Sequence, residues 1–237
     1  RIISWDPVQQ TALSNIEVIH QDDEGFMYYF RYPIVGSSDC LIVATTRPET
    51  MFGDTCVCVN PKDKRYKKYH GQKVINPANG EIIPIIADDY VDVEFGTGAM
   101  KCTPAHDPND FIIGKKYGLE MPIIFNKDAT MNEKCGEFIG LDRFVCREKL
   151  LEKIKSEGNF IKQDKIIHSV GHSERNNCVV EPMLSKQWFV KMKPLAEAAI
   201  ANQKTDKKVN FVPGRFENTF LQWMNNIEDW CISRQLW

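Results

Sequence analysis

Gly96-Thr97-Gly98-Ala99-Met100-Lys101-Cys102-Thr103-Pro104-Ala105-His106-Asp107-Pro108-Asn109-Asp110 reads as a glycine turn, a short strand and the start of a helix. The strand is expected over Ala99 to Thr103, with Ala99, Lys101 and Thr103 on one face. The helix is expected to begin at Asp107, with Pro108 in its first position and Gly118 closing its far end. Asp110 then sits one turn beyond Asp107 on the same side, so two carboxylates share the positive helix end and its free N–H groups. A stabilising N-cap with an acidic partner would explain that pair without any chemistry. The gathering of Lys101, Thr103, His106, Asp107 and Asp110 at one strand-to-helix junction argues for a site instead.

A second stretch, Thr45-Thr46-Arg47-Pro48-Glu49-Thr50-Met51-Phe52-Gly53-Asp54, is a similar junction, in which Pro48 opens a short turn after a strand. It offers Arg47 and Asp54, and the two stretches are expected to converge on one hydrolytic pocket.

Around them, β-type runs at Phe26 to Tyr32, Cys40 to Thr45, Cys56 to Asn60 and Glu81 to Ala87 alternate with Gly, Pro, Asn and Asp. Further helices are expected from Leu141 or Asp142 to Gly158, around Pro194 to Ala201, and from Arg215 to Ile227. In the last, Phe216, Phe220, Trp223 and Ile227 form an apolar stripe that reads as a docking face. Ile166 to Val180 reads as a polar hairpin. The fold class expected is mixed α/β: a compact, barrel-like core with surrounding helices and flanking linkers. The divisions fall at residues 1–25, 26–165 and 166–237, the outer two linking toward a catalytic body outside this sequence. The chain opens without Met and stops within a motif, so it reads as an excised piece.

The 237 residues suffice for a real core, and no apolar run approaches the ~20 residues of a membrane span. Nothing at the start resembles a secretory signal, and the eight cysteines are scattered, which together suggest a reduced, cytoplasmic protein. Cys56 and Cys58 are expected on one strand face, reduced and half buried. A net charge of −2 provides no global attraction for nucleic acid. Local basic clusters at Lys62 to Lys68 and Lys204 to Lys208 read first as solvated faces. There is no glycine-rich nucleotide fingerprint and no phosphate loop ending in Gly-Lys-Ser/Thr. His168, His172 and Cys178 lack the paired Cys-x-x-Cys spacing of a convincing zinc site, so no metal is expected.

Ala44 to Asp54 and Phe95 to Phe111 resemble the editing insertion of class I aminoacyl-tRNA synthetases for branched aliphatic amino acids, and within that family the valine-specific branch. Lys101, the run Glu181 to Met192 and the run Asn226 to Trp237 extend the resemblance over essentially the whole chain, although the paired cysteines of some relatives are absent near His172 to Cys178. The resemblance implies hydrolysis of the ester joining threonine to the 3′ end of tRNA for valine. ATP and Mg would belong only to the absent catalytic domain, with no cofactor needed here. It places Asp110 and Asp107 on the ammonium and hydroxyl of threonine, with Thr46, Thr103 and Phe95 shaping the pocket and Thr50 and His106 beside the substrate. Arg47 and Lys101 would bind the terminal nucleotide or offset oxyanion charge, and Asp54 would anchor Arg47 or its loop. The alternatives are a non-catalytic tRNA-docking module and an editing insertion of the leucyl or isoleucyl type.

Overall fold

The computed structural model describes residues 1–94 and 96–236. In chain order, its first strands are β1 (Ile2–Asp6), β2 (Thr11–Leu13), β3 (Val18–Pro33), β4 (Cys40–Thr45) and β5 (Cys56–Val59). They are followed by β6 (Lys73–Ile75), β7 (Ile82–Ala87), β8 (Ala99–Cys102), α1 (Pro108–Tyr117) and α2 (Arg143–Ser156). The remainder comprises β9 (Phe160–Ser173), β10 (Glu181–Leu184), β11 (Phe189–Val190), α3 (Met192–Asn202), α4 (Phe216–Asn225) and β12 (Trp230–Cys231).

Alternation in β3 drives the architecture. Tyr28, Phe30 and Tyr32 are buried on one face while Arg31 between them is exposed. That apolar face, with Leu41 and Val43 of β4, packs into a core completed by Val57 and Val59 of β5 and Leu150 and Ile154 of α2. β3 pairs antiparallel with β4 on one side and β9 on the other. A second sheet has the order β6-β7-β5-β8, in which β5 and β7 are parallel. β4 packs beside β8 without ladder hydrogen bonds, so the fold is mixed α/β as expected, but its sheets stay open and no closed barrel forms among the described residues.

The helices start where the sequence places them. Asp107 caps α1, accepting from Asn109 N at 2.8 Å and Asp110 N at 3.1 Å, and Gly118 closes it in the left-handed region at φ 63°. Asp142 caps α2 in the same way. The polar hairpin is a larger feature than expected, because β9 begins at Phe160 and pairs with β3 from Phe30 back to Val18 before turning toward the His172–Val179 bridge. Gly25 lies opposite Ile166 and Phe26 opposite Lys165. The divisions drawn at 25/26 and 165/166 therefore cross one continuous two-stranded ribbon at the same level.

Beyond that level the two outer segments fold together: β1 is flanked by β10 and β2, and Ile3, Trp5 and Met183 share a small core with Cys231. On α4, Phe220 packs against Phe211 with ring centroids 5.3 Å apart, while Phe216 and Trp223 are exposed. No helix among the described residues is long and apolar enough to cross a membrane.

One glycine is fixed by close approach. A Cβ on Gly114 of α1 would lie 2.7 Å from Pro104 Cβ and 3.0 Å from Met121 Cε. Gly114→Ala is therefore expected to destabilise the protein by about 1–3 kcal/mol in urea unfolding, against the helix-propensity trend that favours alanine.

Candidate active site

The turn after β4, strand β8 and the start of α1 wall a cavity of about 610 Å³ under the β3–β9 ribbon. Thr46, Arg47, Thr50, Lys101, Thr103, His106, Asp107 and Asp110 all line it, so the two junctions converge as expected. Phe95, also expected there, lies outside the described residues. Met27, Tyr90, Ile166 and His168 contribute walls that the sequence reading did not anticipate. They come from the long ribbon and a distant loop, and no local motif marks them.

Lys101 is the centre of the floor. Its side chain is 9% exposed, and Nζ donates to Thr50 Oγ1 at 2.8 Å, to Asp54 Oδ1 at 3.1 Å and to Thr103 Oγ1. An ammonium has three protons, so these bonds use them all. Asp54 lies beneath the cavity and does not line it. It accepts from Thr103 Oγ1 at 2.6 Å and from Tyr32 OH at 2.8 Å. Burial pushes the Asp54 carboxyl up, opposed by the Lys101 charge and these bonds. Asp54 thus anchors Lys101, and of the two expected roles, holding Arg47 or its loop, the contacts lie with the loop: its N–H donates to Met51 O at 3.1 Å, and Lys101 bridges it to Thr50.

Arg47 is held from the opposite side. It donates to His106 O at 3.2 Å and to Glu181 Oε1, and lies 3.6 Å from Glu49. Glu181 also accepts from Arg143 at 2.6 Å, and Glu49 takes a bidentate pair from Arg147 at 2.7 and 2.8 Å. Burial works to raise the Glu49 carboxyl, but Arg147 and Arg47 hold it below its usual value. The result is an alternating chain, Arg147–Glu49–Arg47–Glu181–Arg143. Both glutamates are fully buried and stand in the quoted motifs, yet their partners are far away in sequence, which hid the network.

His106 is 1% exposed; Nε2 accepts from Ile124 N at 3.0 Å, and Nδ1 lies 3.2 Å from Pro182 O. Burial pushes its imidazole down to about 3, so it is neutral with its proton on Nδ1. The ring braces the wall and lines the cavity where it was expected, with both nitrogens engaged by the protein itself. His172 and Cys178 are drawn into hydrogen bonds, with His172 Nε2 2.8 Å from Asp23 and Cys178 Sγ 3.4 Å from Asp6.

Asp110 is 6% exposed. Its Oδ2 accepts from Thr103 N at 2.7 Å, and among the described residues Oδ1 has no partner. Burial, then the neighbouring Asp107 charge, push the Asp110 carboxyl up to about 7. The floor therefore presents a carboxylate oxygen and spare lone pairs on Thr50 and Thr103, whose hydroxyl protons go to Arg47 O and Asp54. Such a pocket accepts hydrogen bonds and rejects a ligand that cannot donate them.

A model of the tRNA synthetases class I (I, L, M and V) family matches residues 1–237. The chain belongs to that family. It is 58% identical over 236 residues to valine–tRNA ligase of Halalkalibacterium halodurans and 58% identical over 237 residues to that of Staphylococcus carnosus. In both cases all of this chain is matched, and it spans 27% of the relative's length. Among solved structures, the ternary complex of Agrobacterium radiobacter LeuRS with tRNA and LeuAMS aligns at 17% identity and TM-score 0.49 over 77% of this chain and 33% of that one.

The raised Asp110 pKa carries a sign for stability. In the unfolded chain this carboxyl ionises near 3.8 and in the folded protein near 7, so its charge costs stability as pH rises through that window. Asp110→Asn is expected to melt several degrees above the parent at pH 8, with the gap closing toward pH 4 in scanning calorimetry.

Proposed function

We propose that the pocket hydrolyses the ester of threonyl-tRNA for valine, an error-correcting step for valine attachment. The observation that carries this reading is the acceptor-rich floor formed by Asp110 with the hydroxyls of Thr50 and Thr103. A threonyl group offers an ammonium and a hydroxyl, which are the donors that floor lacks. Valine has nearly the same shape without the hydroxyl, and leaves those buried acceptors unpaired at a cost of ~1–3 kcal/mol each. An apolar synthetic pocket rejects the extra hydroxyl of threonine only weakly, by ~10²-fold, so a second, polar site is the physical remedy.

In this reading the substrate ammonium sits on Asp110 Oδ1, aided by Asp107, and draws Asp110 into its charged form. The hydroxyl donates to Thr103 or Thr50. Arg47 faces the ribose and phosphate of the terminal nucleotide, and Thr46 shapes the pocket, a role the resemblance also gives to Phe95. Lys101 acts through position and field, since its protons are already engaged. Water is the nucleophile, and the reaction needs neither ATP nor metal. The partner is the 3′ end of tRNA for valine, presented by the remainder of a larger synthetase. High identity to valine–tRNA ligases favours this substrate over leucyl or isoleucyl counterparts.

Release of labelled threonine from threonyl-tRNA for valine, with valyl-tRNA in parallel, tests the reading. Threonine release should exceed valine release by ~10-fold or more and be lost in Asp110→Ala. Because the carboxylate form takes the ammonium, kcat/KM should fall as pH drops below about 7, where Asp110 gains a proton. Binding of the tRNA without ester cleavage, in this chain and in the complete synthetase alike, would identify a docking module instead.

A further inference from the structure

On the opposite face of β8 from Lys101, three cysteines meet. Cys56 and Cys58 project from one side of β5, and Cys102 stands directly across from Cys56 on β8. All three are fully buried, which corrects the expectation that Cys56 and Cys58 are half exposed. Their sulfurs all lie within 4.8 Å of one another, and the Cys56 and Cys58 sulfurs are 3.5 Å apart. Bonds of about 2.3 Å to a common centre would place three sulfurs roughly 3.5–4 Å apart, so small rotamer adjustments bring them onto one ion.

We propose that Cys56, Cys58 and Cys102 form a three-thiolate binding site for a thiophilic ion, and that trivalent arsenic, presented as arsenite, is the species it takes best. The choice follows from charge and ligand number. The sulfurs are packed among Val91, Ile113 and Leu119. Three thiolates around a trivalent centre give a neutral complex, which an apolar cluster accommodates. Around zinc they leave one negative charge and around monovalent copper two, each costly to desolvate. Structural zinc also takes four protein ligands, where this cluster offers three. The step balances without oxidation: three As–O bonds of arsenous acid break, three As–S bonds form, and the thiol protons leave with the hydroxides as three waters.

The site is separate from the proposed hydrolytic pocket but shares β8 with it. Cys102 lies between Lys101 and Thr103, and its thiol points at Asp110 O, 3.7 Å away. Uptake proceeds through local opening of α1 over the strands and is slower than for a free thiol.

The test is native mass spectrometry of the reduced protein with sodium arsenite, alongside thermal melting. One arsenic should be gained with loss of three protons, and the melting temperature should rise, since the folded form is the one that binds. Cys102→Val and Cys58→Ala should each weaken uptake by more than the ~10–100-fold that loss of an outer-shell partner costs, while Cys135→Ala leaves it unchanged. Each variant is first shown to melt cooperatively, and Cys56→Ala replaces any that does not. Uptake unaltered in these variants, or absent where a small trithiol peptide is saturated, would overturn the site. Zinc bound more tightly than arsenite in parallel titrations would overturn the assignment of the ion.

Discussion

The buried pair of Lys101 and Asp54 is the constraint on which the rest of the pocket depends. Two charges removed from water cost several kcal/mol each before their attraction is counted, and the pair survives because all three Lys101 protons and both Asp54 oxygens have hydrogen-bond partners. Asp54 takes hydrogen bonds from Tyr32 of β3 and from Thr103, as well as from Lys101. Three elements distant in sequence are thereby locked at one depth. Because Lys101 spends its protons on this lock, the floor above it offers acceptors alone once Asp110 is ionised. The polarity of the pocket, and hence its choice of ligand, is set by a contact the ligand does not touch.

Arg47 shows the same logic at the rim. A guanidinium flanked by two buried glutamates, each gripped by a second arginine, has its position over-determined, as a planar fork requires. The chain of five charges spans the turn after β4, helix α2 and strand β10. It therefore ties the pocket to the small base in which β10 pairs with β1. The β3–β9 ribbon makes the same connection through the backbone. Pocket and base are joined by an ionic strut and by a two-stranded ladder, and movement at one is resisted at the other.

Much of this was legible in the residues. β4 runs over the expected Cys40 to Thr45, and Asp107, Pro108 and Gly118 mark the ends of α1, because caps and breakers act locally. The gathering of Lys101, Thr103 and Asp110 also followed from a strand feeding directly into a helix. What escaped was non-local. β9 carries Lys162, Asp164 and Lys165 in its first half and is fully buried only at His172 and Ser173, so it lacked the apolar signal of a strand. Arg143 and Arg147 look like ordinary charges on a helix until Glu181 and Glu49 arrive from elsewhere. Cys102 joins Cys56 and Cys58 only through the register of β5 with β8. His106 lines the pocket as its place in the motif suggests, but that both its nitrogens are occupied by Ile124 and Pro182 is set by partners distant in sequence.

The central claim is that the pocket demands a hydroxyl on its ligand. Isothermal titration of the protein with amide-linked, non-hydrolysable threonyl-adenosine and valyl-adenosine tests this without requiring turnover. Binding of the threonyl compound should be stronger by ~10-fold or more, with the preference abolished when Thr50→Val and Thr103→Val are combined. Equal affinity for the two compounds would contradict the account.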